Sequence, residues 1–295
     1  MLKVVSRKQN SRFLPQWFHQ EFPGKDFSET RNRLSGIGVH TVCREAHCPN
    51  ISSCFSRREA TFMILGDVCT RSCRFCAVKK ALGLSLPVDT EEPEKIAEAV
   101  RALGLKYAVI TSVTRDDLND GGSSFFAKTI KLLNKNILVE ALVPDFQARH
   151  ESIKEVLDAK PAVFAHNIET IERLYRELRP EADYKRSLGL LNSAKKDAKE
   201  TFIKSSLMLG FGETYQEVIQ VMKDLKENGC DILTLGQYLA PSKEHYPVKD
   251  FVSPEEFDDY CLSGLSLGFK AVLSSPLARS SYKAQEIYRE ACKNV

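Results

Sequence analysis

From about residue 62 onward, short β-branched apolar runs alternate with longer segments whose apolar residues recur at helical spacing. The runs Phe62–Leu65, Tyr107–Val113, Ile137–Val143, Val163–Ile168, Phe202–Leu209 and Ile232–Tyr238 read as strands. Between them, Pro93–Leu103, Ser123–Asn134, Ser152–Asp158, Ile171–Leu178, Ser193–Glu200 and Tyr215–Asn228 read as helices, several opened by Ser, Thr, Asp or Glu. This strand–helix alternation is the rhythm of a parallel sheet with crossover helices. Six units fall short of the eight in a closed barrel, so the expected fold is α/β, a partial TIM-like (β/α)6 barrel. The expected divisions are an N-terminal extension over 1–61, a barrel core over 62–252 and a C-terminal helix and tail over 253–295. The last of these opens with a helix over Ser253–Gly268, announced by the cap pattern Ser253-Pro254-Glu255-Glu256.

In parallel α/β barrels the functional groups sit on loops after the strands. Polar clusters fall at those places: Thr114-Arg115-Asp116-Asp117 with Asp120-Gly121-Gly122, then Pro144-Asp145, His166-Asn167, and Gly210-Phe211-Gly212-Glu213. Each is also ordinary turn chemistry. A chain of 295 residues matches one such barrel, and 43% hydrophobic with 27% charged residues is ordinary for a globular protein. Apolar runs such as YAVITSV fall far short of the roughly 20 residues of a membrane helix, so no membrane partner is expected. The basic N-terminus MLKVVSRKQNSRFLP lacks the apolar stretch of an export signal, which reads as a cytoplasmic protein. A net charge of +3 gives no ground for a nucleic-acid partner.

The nine cysteines change the picture. Cys69, Cys73 and Cys76 form C-x-x-x-C-x-x-C on the loop after the first strand, and Cys43, Cys48 and Cys54 form C-x-x-x-x-C-x-x-x-x-x-C upstream. In a reducing compartment such sets ligate metal instead of pairing as disulfides. Three thiolates suit a cubane iron–sulfur cluster with one iron left open, whereas structural zinc or an electron-transfer cluster normally takes four protein ligands. A zinc knot with a distant fourth ligand, or an electron-transfer protein, are the alternatives at this point.

The second triplet's spacing after a first barrel strand resembles the radical S-adenosylmethionine superfamily. That resemblance implies a 4Fe–4S cluster on Cys69, Cys73 and Cys76, whose open iron is chelated by S-adenosylmethionine and whose electron yields a 5′-deoxyadenosyl radical. It further implies cofactor contacts at Gly121 and Gly122, where the backbone needs close approach, and at Gly210, Gly212 and Glu213. Phe75 is expected to pack over the cluster or the adenine.

With the upstream triplet in VCREAHCPNISSCFSRREATFMILGD, and with TSVTRDDLNDGG, VEALVPDF, HNIETIERLY, GFGET, TLGQYLAPS and ARSSYKA in order, nearly the whole chain resembles the lipoyl synthases. The resemblance implies a second, auxiliary 4Fe–4S cluster on Cys43, Cys48 and Cys54, completed by Ser281, with Ser280 as the alternative. It implies sulfur insertion at carbons six and eight of an octanoyl chain on a carrier lysine, with sulfide drawn from the auxiliary cluster. The partners implied are an octanoylated glycine cleavage H protein or dehydrogenase E2 lipoyl domain, and a ferredoxin or flavodoxin as electron donor. A transfer-RNA methylthiotransferase would carry an added RNA-binding domain and a stronger basic surface.

Two positions depart from the family pattern: Phe55 follows Cys54 where tryptophan is usual, and Lys283 replaces a usual histidine. Cys230, Cys261 and Cys292 lack cluster spacing and are expected to be buried small hydrophobes. His47 reads as a supporting neighbour of the first triplet or a surface residue, with metal ligation as the alternative; His166 with Asn167 reads as a substrate-facing or core pair. Arg279 reads as ordering the tail or holding a cofactor carboxylate. Cys73→Ala is expected to abolish 5′-deoxyadenosine formation, and Cys48→Ala to keep part of it while losing sulfur insertion. Chromatographic assay of both products checks this, and equal loss of both in Cys48→Ala would contradict the division of labour.

Overall fold

The structure, a computed structural model, describes residues 14–20, 23–81, 83–134 and 136–294. Residues 1–13 of the basic N-terminus lie outside the described residues. The extension contains helix α1 (Asp26–Ile37), the two-residue strand β1 (His40–Thr41), and helices α2 (Val42–Glu45) and α3 (Ile51–Ser56). Strand β2 (Thr61–Ile64) follows, then a small ribbon of β3 (Val68–Cys69) and β4 (Lys79–Lys80), and helix α4 (Glu92–Ala102). Next come β5 (Tyr107–Ser112), α5 (Ser123–Leu133), β6 (Leu138–Leu142), α6 (His150–Asp158) and β7 (Val163–Ala165). Helices α7 (Tyr175–Leu178) and α8 (Tyr184–Asp197) lead to β8 (Phe202–Leu209), α9 (Tyr215–Glu227) and β9 (Ile232–Gln237). The chain ends with α10 (Pro254–Ser266), β10 (Ala271–Ser274) and α11 (Ala284–Lys293).

The main sheet has the order β1-β2-β5-β6-β7-β8-β9-β10, parallel throughout except for β1, and stays open between its two edges. All the expected strands form, so the partial barrel stands. Beyond the expected six, β10 pairs in parallel with β9. Its four residues are too short a run to carry a period of their own. The extension is not detached, because β1 pairs antiparallel with β2, His40 opposite Met63. Helix α8 starts at Tyr184 and not at Ser193, since Asp183 caps it by accepting from the Arg186 backbone N–H. The expected helix 171–178 splits into a 3-10 turn, Glu172–Leu174, and α7. The predicted α9 and α10 are well specified: Thr214 and Glu217 form a reciprocal capping box, and Ser253 caps α10 ahead of Pro254.

The alternation of side chains along each strand sorts the barrel interior into layers. At the base, the first residues of the strands, Val163, Ile232 and Ala271, pack with Ala165 against Ile287 and Ala291 of α11. Tyr288 of the same helix meets the rings of Tyr107 and Phe202 at 5.6 and 5.8 Å. Helix α11, which the sequence reading did not foresee, therefore plugs the barrel from below. Above it lies a buried ion pair, Lys204 Nζ to Glu140 Oε1 at 2.7 Å, with both side chains 1% exposed. The Tyr107 hydroxyl donates to the other Glu140 oxygen at 2.8 Å. The upper layer, toward the strand ends, is a cavity.

Among the described residues no helix is long and apolar enough to cross a membrane. Cys230 is buried as expected, and Cys261 is partly so. Cys292 is exposed, because it sits on the outer face of α11 while Ala291 takes the core position. Lys204→Ala leaves the Glu140 carboxylate in the barrel without its cation. It is expected to cost about 3–5 kcal/mol, measurable as a fall in the urea midpoint at unchanged slope.

Candidate active site

The loop bearing Cys69, Cys73 and Cys76 is fixed from every side. After β2 the backbone turns through Leu65 and Gly66, both with positive φ, and the buried Glu92 carboxylate accepts both N–H groups at 2.5 and 2.9 Å. Arg71, between the first two cysteines, is 5% exposed and donates to Asp116 on the loop after β5 and to Asp145 on the loop after β6, at 2.7 to 2.9 Å. Arg186 reaches Asp145 as well, at 2.8 Å. Burial alone would loosen the Arg71 proton, but the two carboxylates more than reverse this and raise its pKa. Burial alone would likewise raise Asp145, and Arg71 holds it well below the carboxylate range. At the far end, Leu178 O accepts from Arg74 N, and His245 Nε2 meets Cys76 O at 3.2 Å.

The first triplet sits on α2, α3 and the turn between them. Asn50, in that turn, donates to Leu277 O of the C-terminal tail at 2.6 Å. The tail runs inside the barrel against β9, where a Cβ on Gly236 would lie 1.9 Å from Ala278 O. This path delivers Arg279, Ser280 and Ser281 to the space between the triplets. The Thr61 hydroxyl on β2 donates to Ser281 Oγ at 2.7 Å, and Ser280 Oγ donates to Asn167 Oδ1 at 2.9 Å.

A cavity of about 330 Å³ at the strand ends is bordered by Cys69, Cys73 and Cys76 and also by Cys43, Cys48 and Ser281. A second cavity of about 200 Å³ is bordered by Cys43, Cys48, Cys54 and Ser281, but not by Ser280. Among the described residues no three His, Cys, Asp or Glu side chains converge on a point that could hold one metal ion. A cubane asks for no such convergence, since each thiolate takes a different iron. Burial pushes the thiols of Cys43, Cys54 and Cys76 up to about 12. Burial also raises Cys73, against the nearby cation of Arg179. Such thiols must lose protons to ligate, so metal uptake here is coupled to proton release.

Several wall residues were not singled out in the sequence. Arg179 is buried with its Nε unpartnered, beside Cys73, and its Nη1 donates to Ile168 O at 3.2 Å. Glu169, at positive φ, borders the same cavity, accepts from Asn167 at 3.0 Å and has its pKa raised by burial. The fragment HNIET contained Glu169, but no spacing rule separates it from a turn residue. Phe75 borders the cavity and packs on Phe211 at 6.0 Å, which stacks on the lining residue Tyr238 at 4.3 Å. His47 and Arg279 also lie on the wall.

The glycine loops stand behind the wall, not on it. The space of a side chain at Gly122 is taken by Leu65 at 2.2 Å, and that at Gly121 by the Phe146 ring at 3.0 Å. Gly210 faces Gln237 at 2.0 Å, while Glu213 accepts from the backbone N–H groups of Gly210 and Phe211 at 2.6 and 2.9 Å. Gly212 has Lys249 at 3.6 Å. Phe55 fills the core against Phe27 at 5.9 Å, and Lys283 starts α11 in the left-handed region, its ammonium 3.6 Å from Glu286.

A family model described as Radical SAM superfamily matches residues 63–225. The lipoyl synthase of Caldanaerobacter subterraneus subsp. tengcongensis is 52% identical over 272 residues, covering 92% of this chain and 95% of that protein. That of Aquifex aeolicus is 52% identical over 261 residues, covering 88% and 94%. The chain belongs to the lipoyl synthase family. Among solved structures, the FeFe-hydrogenase maturase HydG aligns over 90% of this chain and 66% of its own, with a TM-score of 0.58 at 15% identity. Methylornithine synthase aligns over 90% and 74%, with a TM-score of 0.55 at 14% identity. These two share the fold of this chain.

His166, on the cavity wall and 2% exposed, settles as a satisfied core residue. Its Nδ1 meets Val143 O at 2.9 Å and its Nε2 meets Ser187 Oγ at 3.0 Å. Burial, aided by the Arg179 charge, pushes its pKa down to about 4 from 6.5, so it is neutral in the folded chain at neutral pH. A base depressed on folding gives stability that is present above pH 6.5 and lost as pH falls toward 4. Acidification across that window is expected to remove up to about 3 kcal/mol through this group. Urea titrations at several pH values check it, with His166→Gln flattening the slope.

Proposed function

We propose that the chain inserts two sulfur atoms into a protein-bound octanoyl-lysine, at carbons six and eight, to make the lipoyl group. The observation that carries this reading is one cavity bordered by Cys69, Cys73 and Cys76 and by Cys43 and Cys48 of the upstream triplet, within a chain about half identical to lipoyl synthases. When bound, S-adenosylmethionine and the two 4Fe–4S clusters supply the one-electron chemistry and the sulfur, which unactivated C–H bonds require.

The protein's own residues have separate tasks in this proposal. Cys69, Cys73 and Cys76 hold the catalytic cluster, and the Arg71 ion network keeps their loop rigid. Cys43, Cys48 and Cys54 hold the auxiliary cluster. Ser281 completes that set, favoured over Ser280 because it alone of the two borders the cavity that all three thiols share. A hydroxyl is a harder ligand than a thiolate and is given up more readily, which suits a site that must release sulfur. Arg179 offers a desolvated cation to the cofactor carboxylate, and Asn167 with Glu169 offers acceptors to its hydroxyls. Gly121, Gly122, Gly210, Gly212 and Glu213 shape the backbone that backs this wall and so support the cofactor from behind it. Val113, Leu142, Val143, Leu207, Met208 and Leu239 give the octanoyl chain an apolar, water-excluding wall.

The carrier is proposed to be an octanoylated glycine cleavage H protein or a dehydrogenase E2 lipoyl domain, with ferredoxin or flavodoxin as reductant, in the cytoplasm. Mass spectrometry of an octanoyl-lysine peptide, incubated anaerobically with reconstituted protein, S-adenosylmethionine and dithionite, is expected to find two sulfurs gained and two hydrogens lost. Ser281→Ala should cut this yield roughly tenfold or more while Ser280→Ala keeps most of it. 5′-Deoxyadenosine release from an untouched peptide would defeat the substrate assignment.

A further inference from the structure

The first triplet is reached from two directions. Cys43, Cys48, Thr61, Arg279 and Ser281 border both cavities and form a partition between them. Cys69, Cys73 and Cys76 border only the inner one, and Cys54 only the outer one. Beyond the thiols, the outer cavity continues between Leu105–Tyr107 and the first turn of α11, and ends at the exposed residues Lys106, Glu286 and Arg289. Its acidic groups are neutralised: Glu59 by Arg57 at 2.9 Å and Glu286 by Lys283 at 3.6 Å. Lys106 and Arg289 enter no ion pair among the described residues, so the rim is left positive.

If sulfur leaves the first triplet through the inner cavity into product, mass balance requires that sulfur return. The inner route is then filled by cofactor and carrier lysine. The outer route is open to solvent, and positive groups at the mouth of a cleft concentrate anions. We propose that this outer opening is the entry by which a small sulfur anion of the hydrosulfide class reaches the first triplet. The inference rests on the sulfur-insertion reading. Lys106 and Arg289 gather the anion, and the partition keeps supply and consumption on opposite faces of one site.

The test uses holoenzyme whose clusters carry ³⁴S. One turnover with the octanoyl peptide is run first, and labelled sulfur in the peptide marks the site as spent. Unlabelled hydrosulfide is then added with equal ferrous and ferric iron, the oxidation states a resting cubane contains. The readout is the rate at which acid-labile ³²S returns to the protein, by isotope-ratio mass spectrometry, independent of activity. Lys106→Glu combined with Arg289→Glu should slow that return roughly tenfold while the first turnover is unchanged. In wild type, filling the inner cavity with S-adenosylhomocysteine and octanoyl peptide should leave the return rate unaltered. A return rate unmoved by the charge reversals overturns the proposal, and so does a return blocked by the inner-cavity ligands. Absence of labelled sulfur from the peptide in the first step would instead defeat the sulfur-insertion reading on which the proposal rests.

Discussion

The carbonyl oxygen of Ala278 lies where a side chain at position 236 would begin, and only a glycine on β9 leaves the tail backbone that path through the barrel. Much of the site depends on this contact. The tail enters beside β9, where Gln237 N donates to Pro276 O at 3.1 Å. It is caught from the other side by Asn50 and Thr61, and then turns into α11, whose apolar face plugs the base. Ser281 is thereby fixed between an element near the start of the chain and one at its end. The seam left open by the sheet is what lets the tail in: a closed barrel fills its interior with its own side chains.

Charge is distributed according to what each layer must do. Low in the barrel, Lys204 and Glu140 neutralise each other out of water, with Tyr107 satisfying the second oxygen. Around the second triplet, Arg71 joins the loops after β5 and β6 to the cysteine loop, so three segments distant in sequence hold one geometry. Charged pairs this buried give no large net stability, but they specify an arrangement, because any other leaves an unpaired charge. At the cavity itself His166 is kept neutral, while Arg179, on the wall of the same cavity, keeps an unpartnered Nε–H.

The cysteines, the strands and most helices were legible because their signals are local. Thiolate spacing on one loop, apolar alternation, and caps such as Thr214 with Glu217 can each be read within a few residues. The start of α8 was missed because a single Asp cap at 183 outweighs the weaker pattern that begins at Ser193. The glycine pairs were legible as special backbone, but not what the special backbone is for. Gly121 and Gly122 make room for Phe146 and Leu65, partners from other elements. Helix α11 was missed for a similar reason, since its apolar face is short and has meaning only against the barrel base.

The sequence by itself determined the parallel barrel and the family, since these follow from period and order along the chain. Only the tertiary structure decided that Cys43 and Cys48 share one cavity with the second triplet, that Ser281 and not Ser280 shares the outer one with all three upstream thiols, and that Arg179 and Glu169 line the wall. These facts depend on the path of the tail and on which strand faces point inward. They arise from contacts between residues as far apart as Asn50 and Leu277, which no local pattern encodes.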